Sequence, residues 1–366
     1  MKNLKSRRSR HIEKGFTLVE LMISLSIGLV LFAGVISIFI GMRTTSAETS
    51  SYGELQENGR FAISVLTEDL LRQNFWGDLS GDLNDEILSS TPDAPGNECN
   101  GNGLNNGTFP AGAGYFRTLW GQTIAGNLNP MGCFSDPTYS RVGSDIIQFK
   151  RVISNPVVAT SVDDYYLIVN SSIGGIFTAD KATNAYAASL AVDAADDAAA
   201  AAIIEAAAAT KGTSLINAAR MWEYQHHVYY IKDKVVGSNS VPTLIQGRLA
   251  GGSMVFSPVI DGIEMIRFMY GVDDDTEPGL PGYGTVDSYI SADNITDDIW
   301  NNTGGTRILA VKIFVLARGV LPDTKYTNTN SYQLGDFTYN PNPDDNFRRL
   351  LFTTTVSLYN NGEMSW

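Results

Sequence analysis

One stretch decides what the rest of the chain can be. Residues 14–42 read KGFTLVELMISLSIGLVLFAGVISIFIGM, and from Phe16 to Met42 the only charge is Glu20. That run exceeds the roughly 20 apolar residues a helix needs to cross a bilayer, so residues 16–42 are expected to form a membrane-spanning helix. Ahead of it stand Lys2, Lys5, Arg7, Arg8, Arg10 and Lys14 against the single acid Glu13. The positive-inside rule then keeps residues 1–15 cytoplasmic and sends the remainder outward. A secretory signal peptide is the poorer reading. Its apolar core covers only about 7 to 15 residues and ends at a small-x-small site, whereas this run is longer and no Ala-x-Ala follows it.

A carboxylate inside such a helix costs roughly 2.5 to 3.5 kcal/mol on insertion scales, so Glu20 needs a partner. Cutting the chain between Gly15 and Phe16 would create one: a protonated α-amino group about one helical turn away. On a neighbouring copy the same amine would meet this carboxylate and set the axial register between helices. The order Gly15, Phe16, Thr17, Leu18, Val19, Glu20, Leu21 resembles the processing site of type IV prepilins. The resemblance implies a leader of residues 1–15, cleavage after Gly15 by a membrane-embedded prepilin peptidase, and methylation of the new N-terminal Phe16. Many major pilins carry a proline some twenty residues into the mature helix. Here Ser37 to Gly41 has none, and Gly28, Gly34 and Gly41 would loosen the helix only modestly.

Charge and cysteine usage bound the outward part. The chain of 366 residues has a net charge of −13; removing the leader's six basic residues and one acid leaves 20 basic and 38 acidic residues, or −18. Affinity for phosphate rests on clustered Lys and Arg, so nucleic acid is not an expected partner. The two cysteines, Cys99 and Cys133, lie in Gly/Asn/Pro-rich sequence. In an oxidising compartment such a pair reads as a disulfide rather than a zinc site, which would need further ligands. Of three histidines, His11 belongs to the leader, and the adjacent His226 and His227 at the start of a strand point to opposite faces. No G-x-S-x-G, H-E-x-x-H or P-loop occurs, so neither catalysis nor a cofactor is expected.

Beyond Met42 the helical pattern continues over residues 43–73. Tyr52, Leu55, Gly59, Ala62, Leu66 and Leu70 recur at spacings of three and four, with Glu54, Glu57, Asn58, Glu68 and Asp69 largely off that stripe. Taken from residue 16 to 72 at 1.5 Å per residue, this is a helix of roughly 85 Å. Residues 74–366 form the expected head. Gly77 to Asp136 is loop-like, and its Gly101–Gly107 run lacks the flanking strand and helix of a phosphate loop; Trp76, Phe116 and Trp120 are expected to tack it onto the body. Strand-like runs follow at Ile146–Val152, Tyr165–Val169, Val228–Ile231, Ile263–Tyr270, Leu309–Ala317 and Leu351–Leu358. One antiparallel sheet packed on the outer half of the helix is the expected result, an α+β architecture. Residues 182–211 are rich in Ala and read as an inserted helix of unassigned role.

Asp273, Asp274, Asp275, Glu277 and Asp287 crowd one loop. They do not follow the EF-hand spacing, so the plain reading is a solvated acidic loop, with Asp273, Asp275 and Asp287 as a Ca²⁺ candidate. The segment from Asp261 to Asp273, containing Gly262-Ile263-Glu264 and Tyr270-Gly271-Val272-Asp273, resembles the "GVE…YGVD" segment of PilW-type minor pilins. Tyr289-Ile290 and Val311-Lys312-Ile313 follow it, and Thr353-Thr354-Thr355-Val356 is similar to the family's closing strand, with Tyr359 where Arg is usual. The resemblance implies the type IV pilin fold and a low-abundance subunit that primes pilus assembly and stays near the tip, supporting twitching motility and adhesion. Implied partners are other minor pilins, the major pilin, the inner-membrane assembly platform and a large tip adhesin. Implied localisation is the inner membrane, then the pilus. Two other readings stand beside it. One is the J-like minor pseudopilin of a type II secretion system. The other is an adhesin binding surfaces directly through Trp300, Tyr326, Tyr332 and Tyr339.

Overall fold

The computed structural model describes residues 15–360 apart from 102, 113, 135, 137, 139, 192–218, 238, 276–278, 280–281, 304 and 344. Residues 1–14 of the leader, Glu277 and most of the Ala-rich insertion fall outside them. Two compact units form, Met1–Gly53 and Glu54–Trp366, with helix α1 (Leu18–Arg72) running from one into the other.

In the first unit α1 is apolar on every side, and none of its side chains from Leu18 to Met42 is buried. It is long and apolar enough to cross a membrane. Three of its hydroxyls turn inward onto the helix backbone: Ser26 donates to the Met22 carbonyl, and Thr45 and Thr49 to those of Gly41 and Thr45.

In the second unit α1 has a buried stripe of Leu55, Ala62, Leu66 and Leu70. Gly59 lies on it because Phe352 crosses there; a Cβ at this position would sit 2.1 Å from the ring. One charged residue joins the stripe against expectation: Asp69 is buried.

The strands are β1 (Leu119–Thr123), β2 (Asp145–Val152), β3 (Tyr165–Val169), β4 (Gly174–Thr178), β5 (Arg220–Val236), β6 (Asn239–Ala250), β7 (Ser253–Asp261), β8 (Ile263–Asp273), β9 (Ser288–Ser291), β10 (Arg307–Arg318), β11 (Tyr332–Leu334), β12 (Phe337–Tyr339) and β13 (Arg349–Ser357). Helix α2 (Ala179–Ala191) follows β4, and the short α3 (Asp297–Trp300) follows β9. Every pairing between named strands is antiparallel, but they make two principal sheets and a ribbon instead of one sheet. The first runs β1-β2-β5-β3-β4, with β6 on β5 and β7 on β6; the second runs β13-β10-β8-β9; β11 and β12 pair separately.

The 17-residue β5 explains the first sheet. Its start pairs with β3, its middle with β2, and its second half with β6. His226 and His227 accordingly lie within a strand and not at its start. Strand β6 carries Pro242, yet its ladder with β7 begins only at Thr243, so no bond is lost there. Pro258 is tolerated because β7 pairs on one side alone. The β8 strand lies against β2, β5 and β6, and the apolar side chains between the two sheets join the α1 stripe in one core.

Candidate functional site

The segment around the expected cleavage position starts α1. Thr17 precedes the first helical residue, and its Oγ1 accepts from the Glu20 N–H at 3.2 Å. The Glu20 carboxylate reaches back, its Oε2 accepting from Thr17 N and Oγ1, each at 2.9 Å. This is a capping box, which satisfies free N–H groups at a helix start reciprocally. The unprocessed chain thus holds Glu20 by its own Thr17. Gly15 and Phe16 lie just outside the helix and are exposed.

The head is fixed by charges that the strands bury. Glu264 on β8 is fully enclosed and faces three arginines. It binds Arg349 of β13 through Nε and, at 3.1 Å, Nη2, and Arg141 at 2.9 Å; Arg318 of β10 stands 3.6 Å away. Arg349 also takes Asp345 at 2.6 Å. Burial alone would lower the Arg349 pKa, but bonds to Glu264 and Asp345 raise it above the ordinary value. A second knot ties α1 to the first sheet. Asp69 Oδ1 accepts from Arg151 Nη2 at 2.6 Å, and Oδ2 accepts from Tyr229 Oη at 2.7 Å and lies 2.7 Å from His227 Nδ1.

Two buried bases lie behind the disulfide loop. Lys150 Nζ donates to the Asn106 and Arg117 carbonyls at 2.9 and 2.8 Å and sits over the Phe116 ring. Burial pushes its pKa well down, Glu98 opposing and Arg117 adding to the shift. His226 sits between Thr108 and Gln148 at 3.2 Å each. Burial first, then Lys150 and His227, hold its pKa well below the ordinary value. Cys99 and Cys133 are joined in a buried disulfide. Trp76 stacks on Tyr224 and lies near Phe116, while Trp120 lies against Trp300. The two histidines face separate networks and share no ligand.

Oxygen atoms of Asp273, Asp275 and Asp287 come within 4.8 Å of one another. Much of this crowding is already answered by the protein. Asp273 Oδ2 accepts from Arg307 Nε and Nη2 at 3.1 and 3.0 Å and from Gly284 N at 2.8 Å, and Oδ1 accepts from Asp275 N. A cation there would have to compete with a guanidinium. The four rings expected to be exposed for adhesion are not free. Trp300 is buried edge-on to Tyr270. Tyr332 and Tyr326 bind Asn328, and Tyr339 binds Glu264, all three half-buried.

Residues 228–360, from the middle of β5 through β13, match the family described as Type IV Pilus-assembly protein W, and residues 10–36 match the Prokaryotic N-terminal methylation motif. No curated protein and no solved structure matches the chain. An apolar helix opening on a methylation motif, carried with an antiparallel β head, defines a type IV pilin-like protein. The match over residues 228–360 narrows the class: over that part the chain is similar to the PilW-type minor pilins. That family is a structural pilus-assembly component.

Proposed function

We propose that this chain primes assembly of a type IV pilus with other minor pilins and stays near the pilus tip, where it supports twitching motility and adhesion. The observation that carries the reading is the union, on one chain, of a helix whose methylation-motif half is uncovered and a head whose residues 228–360 match the PilW family. Prepilin peptidase cleaves after Gly15 and Phe16 is methylated. The new amine stands beside the Thr17–Glu20 capping box and offers Glu20 a cation, on this chain or on a neighbour.

The major pilin and the assembly platform are the other partners, and the route runs from the inner membrane to the pilus. Buried charges in the head serve stability, not catalysis. Deletion of the gene tests this reading: pili are lost and return with the intact gene. Normal pili with failed protein secretion would instead assign the chain to a type II secretion system, and normal pili that do not adhere would make it a direct adhesin.

A further inference from the structure

A cavity of about 380 Å³ opens between the loop after α1, the loop before β1 and the end of α3, a volume within the range of small-ligand pockets. Its contents are chemically mixed in a way that narrows the occupant. Among the described residues no Lys, Arg or His lines it, so it has no cation for an anion to pair with. Its walls carry three rings: Trp300 is buried against Tyr270 and Trp120, Phe116 lies under Lys150, and Tyr115 is 57% exposed.

Three carboxamides also line it, Asn84, Asn301 and Asn302, and the first two have their oxygens anchored elsewhere. Asn84 Oδ1 accepts from Ile87 N at 3.1 Å, and Asn301 Oδ1 accepts from Arg117 Nε at 2.7 Å. Each therefore turns its N–H donors away from that anchor. Asp85 and Glu86 lie at the same cavity, exposed and, among the described residues, without a hydrogen-bond or ion-pair partner.

An acyl chain would have to desolvate the carboxylates of Asp82, Asp85 and Glu86, the last two with no compensation, a costly exchange. A lone cation would find acceptors but would also meet the amide donors. Hydroxyl groups both donate and accept, and the C–H face of a sugar ring packs on an aromatic face. From this juxtaposition we infer that the cavity is a binding site for a short neutral saccharide, with the exposed Tyr115 as the ring platform, Asp85 and Glu86 as acceptors, and Asn84 and Asn301 as donors. Such a site would let a tip subunit touch a glycan surface itself, which pilus assembly does not require.

The test uses the solubilised full chain on a printed array of neutral hexose and N-acetylhexosamine oligomers, maltohexaose and N-acetylchitohexaose among them, with hexalysine as the cationic probe. Tyr115→Ala and Asp85→Ala are run in parallel; both side chains are exposed, so the fold remains. The expected result is retention by at least one neutral oligomer, weakened at least tenfold by each substitution. Retention of hexalysine alone, of no oligomer, or of oligomers equally by both variants overturns the inference. Counting pili in strains carrying the variants keeps the two ideas apart, since normal pili with no saccharide binding removes this site and leaves the assembly role standing.

Discussion

The two ends of α1 solve the same problem differently. From Leu18 to Met42 the helix is apolar all round and the folded chain covers none of it. From Glu54 to Arg72 it is amphipathic, and the head covers Leu55, Ala62, Leu66 and Leu70. A helix hydrophobic on every side needs lipid or other helices around it, while one with a stripe needs only its own domain. The first half is therefore built for burial by something outside the chain, and the second half for burial within it.

The sharpest way to break this contrast is to remove the one charge on the covered stripe. Asp69→Ala leaves Arg151 without its carboxylate, and losing one member of a buried pair costs about 3 to 5 kcal/mol. A comparable drop in denaturant midpoint of the head is expected in the detergent-solubilised chain. A smaller or equal loss, about 2 to 5 kcal/mol, is expected for Leu66→Ala through the cavity it leaves. Leu31→Ala, on the uncovered half, should leave the same transition in place. Equal destabilisation by the two leucine substitutions would erase the distinction drawn between the halves.

Acid should act on the head alone. His226 is held neutral in the fold, so below its ordinary value near 6.5 the unfolded chain binds the extra proton. The stability this group contributes is present above about pH 6.5 and is lost as pH falls below it, by about 1.4 kcal/mol per pH unit while the folded form stays neutral. His226→Gln should flatten that slope between pH 6.5 and 5 in urea melts. The smallest effect belongs to the first half: Thr17→Ala removes the capping box and should cost about 1 kcal/mol of local helix stability. It should be read as faster amide exchange in the first turn, with no change in the head. For the acidic loop, Arg307 already neutralises Asp273, and calorimetric titration with Ca²⁺ should give no heat in the micromolar to millimolar range. A saturable exotherm would restore the three aspartates as a metal site.

Much of the contrast is legible in the residues. The apolar run, the stripe and six strand segments are local patterns, and those segments fall on β2, β3, β5, β8, β10 and β13. The division into two sheets was not legible, because β4 begins with Gly174-Gly175 and β6 and β7 contain Pro242, Gly247 and Pro258, which mask strand composition. The capping box is present as Thr17-x-x-Glu20, but inside an apolar run Glu20 invites an intermolecular partner first. Buried charges were the least visible. Asp69 finds Arg151 82 residues away and Glu264 finds Arg349 85 residues away, and no local spacing encodes such meetings. Trp300 shows the converse, since Asn/Asp-rich neighbours make a packed ring look exposed.

The central claim is that the uncovered half of α1 begins at a processed Phe16 and is handed from lipid to other subunits. Intact-mass spectrometry of the chain extracted from cells with an active prepilin peptidase tests it directly. The account predicts a polypeptide that starts at N-methylated Phe16. A chain that still carries residues 1–15 in those cells would contradict it.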